Sequence, residues 1–168
     1  MTAKEVIELL DLQLHPVEGG FFRETYRSSD VLPQSVLPRN PGARSVSTAI
    51  YYLLTPETVS ALHRLPTDEV FHFYLGDPVE MLQLWPDGQS KTLTIGTDIR
   101  AGHLLQTVVP GGIWQGSVLK PGGTFALLGA TMAPGFDYAD YVTGDRDELT
   151  RVWPDRAELI KRLTPQMC

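Results

Sequence analysis

From residue 79 to residue 131 the chain is a series of short apolar runs, and every proline in that stretch falls between them. So does every glycine except Gly116 and Gly129. Proline cannot donate to a β-ladder and glycine supplies the positive φ that tight turns need, so breaks at this spacing suit strands and not helices. Pro86-Asp87-Gly88, Pro110-Gly111-Gly112 and Pro121-Gly122-Gly123 read as turns between strands expected over 79–85, 90–95, 104–109, 113–119 and 124–131. A chain written this way folds as an all-β sandwich or barrel.

Upstream, Val46, Thr48, Ile50, Tyr51 and Tyr52 predict a strand over 45–54, stopped at Thr55-Pro56. In 19–27, period-2 alternation puts Phe22, Glu24 and Tyr26 on one face and Phe21, Arg23, Thr25 and Arg27 on the other. Between these, 30–44 carries Pro33, Pro38, Pro41 and Gly42, which predicts a long ordered loop with a brief extended piece, serving as lid or edge cover. Thr2 and Glu5 have capping-box spacing ahead of Val6, Ile7, Leu9 and Leu10, predicting a short helix over 3–11. A last short strand is expected over 136–142. Asp145 and Asp155 then suit the N-caps of two short helices, 145–152 and 155–163. No stretch resembles a linker, so one domain is expected over 1–168, with a barrel at about 18–142 and a helical tail at about 145–164.

The chain has 168 residues, a formal charge of −6 and a pI near 5.1, which weighs against nucleic acid, whose phosphates call for clustered Lys and Arg. Arg23, Arg27, Arg39, Arg44 and Arg64 still leave room for a small anionic ligand. No run is long and apolar enough to span a bilayer. Lys4, Glu5, Glu8 and Asp11 are unlike a secretory leader, and the single cysteine, Cys168, has no internal disulfide partner. A cytoplasmic location is the expectation.

Candidate chemistry concentrates at 61–76, expected to be one β-hairpin turning at Pro66-Thr67-Asp68. In extended arms Ala61, His63 and Leu65 share a face, as do Glu69, Phe71, Phe73 and Leu75. His63 and Glu69 would meet at a cavity wall as the start of a metal site or an acid/base pair, with His72 pointing away. His63 alone reads equally as a satisfied core histidine; a carboxylate at this spacing favours function, because a buried charge needs a partner. Trp114 and Phe136 read first as core, and Arg23 and Tyr26 first as parts of an ordinary amphipathic strand.

The sequence resembles the cupins, small jelly-roll barrels whose first motif has the form G-x5-H-x-H-x3-4-E-x6-G. His63, Leu65, Glu69 and Gly76 reproduce its spacing, with leucine in place of the second histidine and no glycine at the start. Pro110, Gly112 and Gln115 follow the second motif, with glutamine for histidine and Leu119 for asparagine. One branch of that superfamily, of unestablished activity, is resembled more fully. The stretches Glu18–Tyr26, Thr48–Leu54, His63 with Asp68–Tyr74, and Ala133–Tyr138 carry that likeness in order. It implies an all-β, double-stranded β-helix of the type shared with dTDP-sugar epimerases, with a short N-terminal helix and one or two short C-terminal helices, and a homodimer.

Three functions follow from the resemblance. Cupins typically hold iron, manganese, zinc or nickel through three histidines and a glutamate; here only His63 and Glu69 carry over, with Gln115 a feeble third, so any divalent metal would be weakly held. A metal-independent isomerase or epimerase would use His63 as base beside Glu69, with Tyr52, Tyr26 or Tyr74 returning the proton and Arg23 or Arg64 holding a phosphate or carboxylate. A non-catalytic binding or sensing module would stack a sugar or a flat ring on Phe71, Phe73, Trp85, Trp114 and Tyr52. For both of the last two the ligand expected is a small molecule, such as a sugar or nucleotide-sugar.

Overall fold

The computed structural model describes residues 1–165; Cys168 lies outside the described residues. Two antiparallel sheets face each other. One has the order β1 (Gln13–Leu14), β2 (Phe21–Arg27), β5 (Thr48–Leu54), β12 (Ala126–Met132), β7 (Glu69–Gly76) and β10 (Gln106–Val109). The other runs β13 (Val142–Thr143), β6 (Val59–Arg64), β11 (Trp114–Leu119), β8 (Val79–Leu84) and β9 (Ser90–Ile95). Between β2 and β5 the proline-rich loop holds only a small ribbon, β3 (Val31–Leu32) with β4 (Arg44–Ser45), and one 3-10 turn, Gln34–Val36. Helix α1 (Ala3–Leu9) precedes the barrel, and α2 (Arg146–Val152) and α3 (Ala157–Leu163) follow it.

Three apolar layers hold this together. Between the sheets lie Tyr52, Leu54, Phe71, Phe73, Met81, Ile95 and Leu128. Outside the five-stranded sheet, Leu62, Leu82, Leu84 and Val118 pack against Leu149, Trp153, Ile160 and Leu163 of the tail. Outside the six-stranded sheet, Leu53 and Leu127 pack against Val6 of α1 and the neighbouring Leu12. Because β6, β8 and β11 are covered on both faces, they lack the polar alternation of a half-solvated strand. At α1 the expected box forms: Glu5 N–H donates to Thr2 Oγ1 at 3.3 Å, and Thr2 N–H donates to Glu5 Oε2 at 2.7 Å.

Three local expectations are corrected. Residues 61–76 are not a hairpin: β6 belongs to the five-stranded sheet and β7 to the six-stranded one, so 65–68 crosses from sheet to sheet. Both arms have better partners, β11 for β6 and β12 for β7, and each satisfies its ladder there. Residues 136–142 are not one strand, because the Asp137 side chain accepts from Ala139 N–H and caps a 3-10 turn, Tyr138–Asp140, leaving only β13 extended. At the last helix, Pro154 opens a 3-10 turn and α3 begins at Ala157, not at Asp155.

Candidate functional site

Opposite Gly116, strand β6 sets two residues, Ala61 and Leu62, against one of β11: His63 pairs with Gln115 and Ser60 with Ser117. This bulge turns both Ser60 and His63 toward the space between the sheets, where strict alternation would separate them. Glycine keeps the crossing uncrowded. A Cβ on Gly116 would stand 3.0 Å from the Ser60 carbonyl oxygen and 3.1 Å from Leu62 Cγ.

His63 is 1 % exposed and its ring stacks on Tyr141, with centroids 4.7 Å apart. Nδ1 lies 2.7 Å from the Ala61 carbonyl oxygen, which can only accept, so Nδ1 carries the proton and Nε2 keeps its lone pair. Gln115 Nε2 lies 3.3 Å from that lone pair and 2.5 Å from Glu69 Oε2. The amide NH2, with two hydrogens, can donate to both neighbours. Glu69 is buried, and desolvation, reinforced by the Glu18 carboxylate, pushes its pKa up to about 8 against the lowering effect of the Gln115 hydrogen bond. At neutral pH it is a carboxylic acid.

His63 and Glu69 line a cavity of about 220 Å³ together with His15, Glu18, Phe22 and Leu65. A second bulge shapes its mouth. On β2, Glu24 pairs with Ile50 and Tyr26 with Ala49, which leaves Thr25 as an extra residue and turns Glu24 and Arg27 inward together. Arg27 pairs with Glu24 at 2.7 Å and donates to the Phe136 carbonyl at 3.2 Å. Across the cavity runs the 136–141 segment, held by a buried clamp in which Asp140 accepts from Arg44 at 2.6 and 2.7 Å and from Asn40 at 3.0 Å. Within this segment the Tyr141 hydroxyl is buried with no partner among the described residues, and so is Gln115 Oε1. Burial, with Glu18 and Glu69 adding, raises the Tyr141 pKa, so the phenol remains a donor. A wider surface depression of about 750 Å³, between the β5–β6 turn and the C-terminal helices, brings no histidine to its walls.

The structure brings together His63, Glu69 and Gln115. Leu65 joins His63 and Glu69 at the cavity wall. Phe71, Phe73 and Trp85 belong to the apolar core between the sheets, away from the cavity wall. Tyr52 is buried, donates its hydroxyl to the Gly19 carbonyl at 2.7 Å, and is held protonated by desolvation and the nearby Glu18. Trp114 lies outside, in the layer under the C-terminal helices, with the Arg64 guanidinium 4.7 Å from its ring centroid. Arg23 and Tyr26 also face outward, Arg23 over the Tyr51 ring at 5.8 Å and Tyr26 exposed. His72 points away from the cavity, toward Gln106 and Thr131, and Tyr74 is exposed. Missed from the sequence were His15, Glu18, Arg27 and Tyr141. Glu18 stands in the first stretch of the family likeness and was within reach, whereas Arg27 depends on a bulge that composition does not reveal.

A cupin metal centre needs a third strong donor here. Leu65 offers hydrocarbon, and the Gln115 group facing His63 and Glu69 is its NH2, which cannot ligate. Among the described residues no three His, Cys, Asp or Glu side chains are grouped to hold an ion. The donor set does not fit a first-row metal bound in the cupin manner.

Two antiparallel sheets closed around a polar pocket, with the first-motif His63 and Glu69 inside it, define a cupin. Residues 4–143 match the family described as cupin superfamily (DUF985), and the chain belongs to it. It is 33% identical over 152 residues to the uncharacterized protein YML079W of Saccharomyces cerevisiae, covering 83% of this chain and 75% of that one. A solved structure of a hypothetical protein from Leishmania major is 31% identical, with a TM-score of 0.88 over 99% of this chain and 100% of that one. Protein SO0799 from Shewanella oneidensis is 32% identical, with a TM-score of 0.87 over 99% of each chain. Among the described residues no helix is long and apolar enough to cross a membrane.

Proposed function

We propose that the chain is a metal-independent proton-transfer enzyme of the isomerase or epimerase kind, acting on a sugar or related keto metabolite with His63 as base. The observation that carries this reading is the hydrogen-bonded series Ala61–His63–Gln115–Glu69, which sets an imidazole lone pair and a carboxylic acid in one cavity at neutral pH. Neighbouring groups driven into opposite protonation roles suit coupled acid and base work. In the proposed step His63 Nε2 takes the proton from the carbon beside a carbonyl. The C–H electron pair becomes the C=C bond of an enol, and the carbonyl oxygen takes the Glu69 proton. Gln115 releases Nε2 as substrate enters and stabilises the new Glu69 carboxylate. Glu69 thus takes the acid role expected of Tyr52, whose hydroxyl is committed to Gly19.

The cavity, at about 220 Å³, is smaller than the roughly 300–1,000 Å³ of pockets for drug-sized ligands. A compact sugar or hydroxyketone suits it, and a nucleotide-sugar would leave its nucleotide beyond Arg27. One feature favours a second reading, a ligand-binding cupin without catalysis: the Gln115 amide already occupies the His63 lone pair. Proton NMR of neutral keto-sugars and hydroxyketones in D2O separates the two. Carbon-bound hydrogen should exchange for deuterium, and His63→Ala should slow this about 10²–10⁴-fold, the range for removing a general base. Ligand-induced thermal stabilisation with no exchange supports the binding module and overturns the enzyme.

A further inference from the structure

The cavity holds a second imidazole. His15 lies in the turn between β1 and β2, 7 % exposed, its ring 4.6 Å from Phe22 and 5.9 Å from Tyr138 between centroids. Its Nδ1 receives two backbone hydrogen bonds, from Val17 N–H at 3.3 Å and Glu18 N–H at 2.8 Å. A nitrogen accepting from two N–H groups cannot itself carry a proton, so the proton sits on Nε2. Nε2 has no hydrogen-bond partner among the described residues, while the ring lines the cavity. His63 is fixed the other way round by the Ala61 carbonyl. The backbone alone therefore freezes two histidines of one cavity in opposite tautomers, one a donor and the other an acceptor.

We propose that His15 is the carbonyl-binding residue of this site, donating Nε2–H to the oxygen of a neutral hydroxycarbonyl ligand whose carbon-bound hydrogen faces His63. It rests on the proton-transfer reading above and adds to it the group that polarises the carbonyl. In the step already written, His15 keeps its proton: it hydrogen-bonds the oxygen while that oxygen takes the Glu69 proton, and the electron pair moves as before. A neutral imidazole suits this role, because its N–H strengthens its hydrogen bond as negative charge develops without giving the proton away. Burial, with His63 adding and Glu18 opposing, lowers the His15 pKa and keeps the ring neutral at pH 7. The ligand is neutral because Glu18, Glu24 and Asp137 outnumber Arg27, the one Lys or Arg among the described lining residues, which is already paired with Glu24.

Two substitutions separate the role of His15 in the turn from its role toward the ligand. His15→Asn keeps an acceptor near the Nδ1 position and loses the Nε2 donor; His15→Gln keeps a donor near Nε2. With dihydroxyacetone as probe, His15→Asn should slow hydrogen exchange about 10²–10³-fold, as for loss of one oxyanion-binding donor, and His15→Gln should recover part of it. Wild-type exchange that His15→Asn leaves unchanged overturns the assignment while the proton-transfer reading stands. Long-range ¹H–¹⁵N spectra of the folded protein decide the case in which the wild type exchanges nothing. An Nε2–H tautomer for His15 whose resonance moves with dihydroxyacetone, and not with the anion pyruvate, upholds the carbonyl-binding role even as the enzyme reading falls. An Nδ1–H tautomer, an unmoved resonance, or an equal response to pyruvate overturns it.

Discussion

Glu69 shows how one buried side chain couples stability to chemistry. Its carboxyl is protonated in the folded chain up to a pH of about 8, whereas the unfolded chain releases that proton in the ordinary carboxylate range. Between those limits the native state binds more protons than the unfolded state, so stability falls as pH rises. The contribution is fully present below about pH 4 and lost once pH passes about 8, an effect on the order of 5 kcal/mol. Urea titrations from pH 4.5 to 9 should record this decline, and Glu69→Gln, which cannot ionise, should flatten it and leave the variant more stable than wild type at pH 9. An equally steep decline in the variant would remove Glu69 as its source. The proposed exchange should likewise fail above about pH 8, as the acid form of Glu69 disappears. Gly129, which with Gly116 falls inside an apolar run of 79–131, has a comparably local cause: a Cβ there would run into the Tyr74 ring.

At the scale of elements, the site is made by bulges and one clamp. The extra residue on β6 turns His63 and Ser60 the same way, and Thr25 on β2 exchanges Tyr26 for Arg27 at the cavity mouth. A third irregularity, between β7 and β12, carries Leu75 off the face it would share with Phe71 and Phe73 and into the layer under α1. The clamp ties the proline-rich loop to the turn bearing Tyr138 and Tyr141 through Arg44 and Asp140, with side chains 5 and 1 % exposed. Removing one partner strands the other charge in the interior. Asp140→Ala should therefore cost about 3–5 kcal/mol in urea unfolding, while the double change Arg44→Met with Asp140→Leu should cost much less. A loss below about 1 kcal/mol in the single variant would show the pair to be hydrated and structurally idle.

Across the whole molecule, the two outer faces are treated differently. The five-stranded sheet is covered by α2 and α3, whereas α1 covers only part of the six-stranded sheet. Beyond α1 the outer face leaves Tyr26, Tyr74 and Val108 about half exposed, beside the Tyr51 ring that meets Tyr74 edge-on at 6.0 Å. We propose that a second copy of the chain covers this face, since aromatic and apolar groups gathered on one sheet surface mark an association site more often than a solvated one. Light scattering at micromolar concentration should give the mass of a dimer. Tyr74→Glu combined with Val108→Glu should give the monomer without unfolding it; a monomeric wild type would end the proposal.

Most of the strands and turns, the capped N-terminal helix and the nearness of His63 to Glu69 were legible in the sequence. Each is written in local signals: proline and glycine at fixed offsets, an N-cap threonine, a motif spacing of six residues. What the sequence did not carry was phase and partner. Alternation along an isolated strand put Tyr26 on the face of Phe22 and Glu24 and Arg27 on the opposite one, and a short loop between two strands suggested a hairpin. Tertiary structure reversed both, because a bulge is stabilised by the neighbouring strand, and a strand pairs with whichever partner completes its ladder and buries its apolar face. Even the expectation that His63 and Glu69 share a cavity wall is met by another route: their strands belong to opposite sheets, and the candidate site lies where those sheets close on each other.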